Sequence, residues 1–383
     1  MTPAPDFNGL QVWLPQVGAL RPGDILLTRH VYGSDRKGDR IATAIRTFTG
    51  GDFDHAAICT SPPTFAEAGM AGVSTLSLHR CFAFDLANVR ILRWPDAAVA
   101  KRAASLAQVE VGRVYSKGRA IASVFPNILA DTITDRGVFC SSLVALVFRA
   151  AGADPFTSVR PDRLTPVGLL KIPGLVDVTA QIFREGLAPG NAELLNALDG
   201  DRVWSPSDEQ TAVAQAYAQA LLPITDQIVA EFPEARLTRP ETFFGVIQFL
   251  IDALEAVPDV GETRREAFEV AVHSLDEATV AQMDDGRLAA VLDEYRTLEA
   301  DSLREMMVRS REAAPDIDLD ALQQIITGRE ASLIDRHAAL RSFEPWCDRL
   351  GAVARWHASD ASVVRDLEVS LAVNKSVLSL FRP

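Results

Sequence analysis

The sequence predicts an α+β domain followed by an all-α domain, and three observations support this division. Strand-like and helix-like segments alternate through the first half of the chain, whereas strand signals fade from about Pro189 onward. The 383 residues are enough for two or three domains. Residues 1–190 carry 20 basic and 16 acidic side chains, whereas residues 191–383 carry 18 and 35. We therefore expect domains at 15–188 and 189–383.

The strands of the first domain are expected to form a small antiparallel sheet. Apolar runs or period-2 alternation bounded by turn residues predict strands within 21–30, 53–61, 64–69 and 88–94. Pro62 and Pro63 interrupt the second of these runs, so that 53–61 and 64–69 become the two arms of a hairpin.

Helices are predicted on both sides of the domain boundary. In the first domain the predicted helices lie at 39–50, 96–112 and 140–152, with Asp96 as an N-cap and Gly152 as a stop. In the second domain, helical periodicity extends over 208–222, 239–257, 262–283 and 298–314. No strand pattern interrupts these segments, so the second domain is expected to be all-α.

Composition excludes several classes of protein. The formal net charge of −13 argues against non-specific nucleic-acid binding. The four cysteines form no CxxC pair and no zinc-like spacing, which is typical of a reducing compartment. The first 20 residues lack the basic start and apolar core of a signal peptide, and no uninterrupted apolar run is long enough to span a membrane, so we expect neither a signal peptide nor a membrane span. The expected location is therefore the cytoplasm, and export by a signal-independent route stays open.

Cys140 is placed where a nucleophilic thiolate would be stabilised. The free N–H groups at the start of a helix favour the ionised sulfur, and they also stabilise an oxyanion after attack on a carbonyl. Such a cysteine needs a base, for which histidine is the usual choice, and His55 is the candidate. The alternative for Cys140 is a small, inert, buried side chain at a helix start.

His55 and Glu67 lie in the two arms of the predicted hairpin, so Glu67 is expected to reach the imidazole. Period-2 alternation places His55 on one face with Phe53, Ala57 and Cys59. The same alternation turns Asp54 towards the other face. Asp52 and Asp54 are the competing partners of the ring. His30 and His79 are interpreted as structural or exposed.

Five stretches occur in an order that resembles a known family: "GDILLTR", "TGGDFDHAAI", "FAEAGMAGVSTLSL", "GRVY" and "FCSSLVALVFRAAG". Together they resemble the circularly permuted NlpC/P60 branch of the papain-like cysteine hydrolases, in particular its YiiX/YebB-like group, a distant relative of the lecithin:retinol acyltransferases. In that branch the histidine-bearing hairpin precedes the cysteine-bearing helix. The resemblance covers roughly residues 20–170. Gly23 and Asp24 of the first stretch match a strand entry that we interpret as structural.

The resemblance implies a role for each of four residues. Cys140 would be the nucleophile and His55 the general base, with Glu67 orienting the His55 ring. Tyr115 matches a family tyrosine near the nucleophile that helps to polarise the substrate carbonyl. The implied permuted papain-like domain works through an acyl-enzyme and requires neither a metal nor another cofactor.

Three functional hypotheses stay open on the sequence. The first is a thiol hydrolase that cleaves an amide bond in a peptide or a peptidoglycan-type substrate. The second is a lipid-directed thiol acyltransferase or phospholipase, for which residues 123–133 are a candidate groove wall. The third is a non-catalytic binding module on a papain-like scaffold. The acidic second domain is expected either to bind a protein partner with a basic surface or simply to aid solubility.

Overall fold

The computed structural model describes residues 9–31, 52–69, 71–78, 81–116, 119–120, 137–188, 196–200, 206–294, 297 and 319–381. The chain divides into two compact units, Met1–Asp208 and Glu209–Pro383. Four predicted features lie outside the described residues: the helix at 39–50, the groove wall at 123–133, the helix at 298–314 and His79. The described parts show an α+β first unit and a helical second unit, as the sequence predicts.

The described strands all belong to the first unit. They are β1 (Gln11–Pro15), β2 (Ile25–Thr28), β3 (His55–Ser61), β4 (Thr64–Gly69), β5 (Gly72–Ser77), β6 (Cys81–Phe82), β7 (Val89–Arg93), β8 (Val176–Asp177), β9 (Phe183–Leu187) and β10 (Asn196–Ala197). The four predicted strands are confirmed as β2, β3, β4 and β7.

The described helices are long in the second unit and mostly short in the first. They are α1 (Ala97–Val109), α2 (Cys140–Ala150), α3 (Asp154–Thr157), α4 (Pro166–Leu169), α5 (Thr179–Ile182), α6 (Pro206–Glu231), α7 (Phe243–Glu255), α8 (Glu262–Met283), α9 (Leu319–Phe343) and α10 (Gly351–Phe381). Residues 287–294 are also helical. None of the helices in the described ranges is both long enough and apolar enough to cross a membrane.

A six-stranded antiparallel sheet forms the framework of the first unit, with the strand order β5-β4-β3-β2-β7-β8. Two small sheets accompany it, an antiparallel pair of β1 with β9 and a parallel pair of β6 with β10. The expected small antiparallel sheet is therefore confirmed, and the parallel pair is an addition that local sequence patterns do not indicate. In the central sheet Thr28 lies opposite His55, and Ala57 lies opposite Glu67.

The helices α1 and α2 pack against the central sheet. Apolar side chains of β2 and β3, including Ile25 and Ile58, share a buried core with Leu143 and Val144 of α2. The N-terminus of α1 is capped as predicted, because the Asp96 carboxylate accepts the N–H groups of the first turn. These contacts fix α2, and with it Cys140, relative to the strands.

The Gly23-Asp24 pair has the structural role expected from the sequence. Gly23 has a φ of +85°, and a Cβ atom there would lie 2.6 Å from the carbonyl oxygen of Ala100 in α1. The buried Asp24 carboxylate accepts two hydrogen bonds from the Arg93 guanidinium, at 2.7 and 2.6 Å. This clamp joins the start of β2 to the end of β7.

The first unit extends past the predicted boundary at Ala188 because residues after it pack on the sheet region. The buried Asp199 carboxylate accepts hydrogen bonds from the backbone N–H groups of Phe84 and Asp85 and from the Asn88 side chain, each at 3.0 Å. The Asp199 carbonyl accepts the N–H of Val31. Residue 199 therefore belongs physically to the α+β unit, although the acidic composition begins near 190.

The second unit is built around a helical core of its own. Large buried side chains of α6, α7 and α8, such as Tyr217, Phe249 and Phe268, pack together. The Asp276 carboxylate of α8 accepts the N–H groups of Gly351 and Ala352, both at 2.9 Å, and so caps α10. The helix predicted at 262–283 is confirmed residue for residue, and those at 208–222 and 239–257 are confirmed with shifted ends.

Candidate active site

The β3–β4 hairpin brings His55 and Glu67 together. A Pro62-Pro63 turn joins the two strands, and the pairing of Ala57 with Glu67 puts Glu67 diagonally across from His55 on one face. His55 Nε2 lies 2.6 Å from Glu67 Oε2. The Glu67 side chain is 4% exposed and that of His55 19% exposed, so the contact is largely shielded from water.

The predicted alternation does not extend back to Phe53. The strand begins at His55, and Phe53 packs into the same core as Ala56 and Ile58. Because residues 53 and 54 precede the regular strand, the period-2 rule does not govern their side chains. The predicted common face of Phe53 and His55 is therefore wrong, whereas His55 and Glu67 meet as expected.

Cys140 is the first residue of α2, the position predicted from the sequence. Two serines that follow it hold this helix start in place. Ser142 Oγ accepts the backbone N–H of Phe139 and donates to its carbonyl oxygen, both at 2.8 Å, and Ser141 Oγ donates to the carbonyl oxygen of Leu164 at 2.7 Å. Sequence reasoning did not single out these serines, because the usual capping box has Ser or Thr at the N-cap and Glu or Gln at the third helical position, whereas here Phe139 is the N-cap and Ser142 the third residue.

The His55 ring also hydrogen-bonds the Cys140 thiol. Since Nε2 is bound to Glu67, Nδ1 is the ring nitrogen that can serve Cys140. Burial lowers the pKa of His55, but hydrogen bonds to Cys140 and Glu67 and attraction to their charges outweigh burial and raise it from 6.5 to about 10. The ring therefore keeps its proton at neutral pH.

Tyr115 lies beside the start of α2. A parallel bridge joins Tyr115 to Val138, and the N–H of Ser116 donates to the carbonyl oxygen of Val138 at 3.0 Å. Burial, followed by the negative charge of Cys140, raises the pKa of the Tyr115 hydroxyl well above its usual value. The Tyr115 hydroxyl therefore keeps its proton at neutral pH, and it lies close enough to Cys140 for the charge of the sulfur to affect it.

The two aspartates that compete for His55 in the sequence have other partners. Asp54 Oδ1 lies 2.6 Å from His30 Nδ1, and Asp52 forms an exposed ion pair with Arg29 at 3.2 Å. The expectation that Asp54 turns away from His55 holds, and the bond of His30 to Asp54 fits the structural role expected for His30. The ring of His30 packs edge-to-face on His55, with centroids 6.1 Å apart.

The remaining cysteines lack the surroundings of Cys140. Burial is the main cause that raises the pKa of both Cys59 and Cys347. The Cys81 thiol donates to the carbonyl oxygen of Ser77. Within the described ranges, no group of three or more His, Cys, Asp and Glu side chains is arranged to hold a metal ion.

Comparison of the chain with protein-family models, with curated proteins and with solved structures finds no match.

Proposed function

We propose that the first unit is a permuted papain-like thiol hydrolase of the NlpC/P60 type that cleaves an amide bond in a peptide or peptidoglycan-type substrate. One observation carries the proposal. The His55 ring is hydrogen-bonded by a buried carboxylate on one side and by a thiol at a helix N-terminus on the other. This combination supplies a nucleophile, an acid–base group and an orienting group in direct contact.

In the acylation step the Cys140 thiolate attacks the carbonyl carbon of the substrate amide. Negative charge develops on the carbonyl oxygen, where the N–H groups at the start of α2 and the Tyr115 hydroxyl are the available donors. The C–N bond then breaks, and the His55 imidazolium gives its proton to the leaving nitrogen. A thioester on Cys140 and a neutral His55 remain.

In the deacylation step the neutral His55 ring acts as the base. It takes a proton from a water molecule, whose oxygen attacks the thioester carbonyl carbon. The C–S bond breaks, the carboxylic acid leaves, and the thiolate–imidazolium pair is restored. Glu67 holds the ring in one orientation and stabilises its positive charge throughout the cycle.

The first prediction concerns the reactivity of Cys140. We expect iodoacetamide at pH 7 to alkylate Cys140 about tenfold or more faster than Cys59, Cys81 or Cys347, because a thiolate reacts whereas a thiol does not. Mass-spectrometric mapping of the modified peptides measures all four rates in one sample. The Cys140→Ser variant is expected to lose hydrolysis of fluorogenic peptide amides by about 10³-fold or more while keeping its fold.

The three other cysteines serve as internal controls for access and for reagent strength. His55→Gln is expected to slow the alkylation of Cys140 and to leave the other three rates unchanged. Wild-type turnover in Cys140→Ser, or an unchanged Cys140 rate in His55→Gln, would show that this site is not a thiol hydrolase centre.

A further inference from the structure

A second carboxylate–imidazole pair lies next to the first. The Asp54 side chain is only 1% exposed, and one of its oxygens lies 2.6 Å from His30 Nδ1. The same carboxylate also accepts the backbone N–H of His30, at 3.2 Å to its second oxygen. Asp54 therefore holds both the main chain and the ring of His30.

The backbone around this pair is fixed as well. The N–H of Asp54 donates to the carbonyl oxygen of Thr28 at 3.1 Å, and Thr28 is the residue paired with His55. His30 therefore lies two residues after Thr28, the residue paired with the candidate base His55. Burying a carboxylate costs free energy unless the group is well hydrogen-bonded. The bonds that the buried Asp54 makes with His30 therefore indicate that the orientation of His30 matters.

The ring of His30 meets the ring of His55 in an edge-to-face contact. The centroids are 6.1 Å apart and the planes are inclined by 61°, which lies within the range of direct aromatic contact. Glu67 and Cys140 hold His55 through its two ring nitrogens. Contact with a second ring, which is itself anchored by Asp54, adds a restraint that depends on neither nitrogen of His55.

We infer that His30, anchored by Asp54, is a positioning residue that keeps the His55 imidazole aligned between Glu67 and Cys140. This inference rests on the proposed function of the Cys140 site and identifies the part of the fold that orients its base. The role depends on the ring contact of His30 and on the hydrogen bond that anchors this ring to Asp54. An aromatic replacement without nitrogen atoms should therefore preserve the contact but not the anchor.

Three variants of the full chain test the inference. His30→Ala is expected to lower the iodoacetamide rate of Cys140 at pH 7 by about tenfold, since small misalignments of reacting groups are costly. His30→Phe should lose less, about twofold to threefold, because it keeps a ring against His55 but loses the hydrogen bond to Asp54. The Cys140 rate of Asp54→Asn should lie between the rates of His30→Ala and His30→Phe. His337→Ala, at an exposed histidine paired with Glu368, is the matched control.

Two further readouts separate positioning from a general loss of structure. NMR titration of the His55 ring should show a lower midpoint in His30→Ala than in the wild type or His30→Phe. In His30→Ala, kcat for the hydrolysis of p-nitrophenyl acetate should fall while KM changes little. Circular dichroism reports whether each variant is folded, and His30→Phe with Asp54→Asn decides the question if His30→Ala unfolds.

The outcomes distinguish the inference from the proposed function. A wild-type Cys140 rate in both His30→Ala and Asp54→Asn overturns the positioning role. A folded His30→Phe variant that is as slow as His30→Ala also overturns it, because the ring contact with His55 would then contribute nothing. A His55→Gln variant that alkylates normally at Cys140 overturns the proposed function itself, and the inference with it.

Discussion

Cys140 and the nearly buried Glu67 carboxylate together hold the proton on His55. Without its partners, burial would lower the pKa of the ring, and the imidazole would be neutral at pH 7. The hydrogen bonds that the ring makes with Cys140 and Glu67 reverse this effect. Glu67 is therefore an electrostatic part of the proposed site as well as an orienting one.

The second prediction follows from this balance. Glu67→Gln keeps the size of the side chain but removes its charge, so the pKa of His55 should fall from about 10. Turnover at pH 7 should fall by an amount equivalent to about 1.5–3 kcal/mol, the range for a charge-assisted hydrogen bond. NMR titration of the ring, assigned with His55→Gln, measures the midpoint.

The pH dependence of turnover shows in which direction the pKa of His55 has shifted. The leaving nitrogen needs a proton from the imidazolium, so wild-type amide hydrolysis should decline as the pH rises through about 10. In Glu67→Gln that decline should begin at a lower pH, because the folded-state pKa is lower. A wild-type midpoint near 6.5, or one that Glu67→Gln leaves unchanged, would contradict this account.

Local patterns were sufficient to predict one half of the site but not the other. A hairpin turn, period-2 alternation and a helix start lie within short segments, and they predict that His55 meets Glu67 and that Cys140 begins a helix. The pairing of His30 with Asp54 joins the end of β2 to residues that precede β3. Neither residue lies in a regular strand, so no periodicity indicates this contact.

At the scale of elements, the hairpin strands and the capped helices were predictable, whereas the outer strands were not. The bounds of β4 match the predicted segment, and α1 begins directly after the predicted cap Asp96. The pairs β1–β9 and β6–β10 join segments far apart in the chain. Their formation depends on tertiary contacts that a short window of sequence does not contain.

The third prediction concerns the contact between the Tyr115 segment and the start of α2. A Cβ atom at Gly137 would lie 2.6 Å from the backbone nitrogen of Ser116 and 2.8 Å from the carbonyl carbon of Tyr115. Because backbone atoms cannot move aside easily, Gly137→Ala should destabilise the fold by about 1–3 kcal/mol. It should also slow alkylation of Cys140 by displacing the helix start.

Gly261→Ala provides the matched control, since nothing lies within 4 Å of a Cβ atom built at that position. Thermal unfolding followed by circular dichroism, together with the iodoacetamide rate, compares the two variants. Equal melting temperatures and equal Cys140 rates would show that the close approach at Gly137 does not support the site.

At the scale of the whole molecule, composition and residue contacts place the boundary between the two units at different residues. The acidic excess begins near residue 190, but contacts assign everything up to Asp208 to the first unit. Ser74 Oγ donates to Asp208 Oδ1, and the hydroxyls of Thr75 and Ser207 lie 2.7 Å apart. Surface charge therefore marks a change in composition, whereas buried hydrogen bonds mark the end of the folding unit.

The fourth prediction tests this boundary. A chain that ends at Asp208 should fold and alkylate at Cys140 as the full chain does, because the site and its supporting contacts are described within residues 1–208. A chain that ends at Ala188 removes Asp199 and leaves the donors of Phe84, Asp85 and Asn88 without their acceptor. The loss at the buried Asn88 side chain should cost about 1–3 kcal/mol, and the losses at the less buried N–H groups of Phe84 and Asp85 should cost less.

Asp199→Ala in the full chain separates this hydrogen-bond effect from truncation itself. It should lower the melting temperature of the first unit in the same direction as the shorter chain does. Melting curves and the Cys140 rate provide the comparison. If the chain ending at Ala188 were as stable and as reactive as the chain ending at Asp208, then residues 196–208 would not belong to the folding unit, and the compositional boundary would be the physical one.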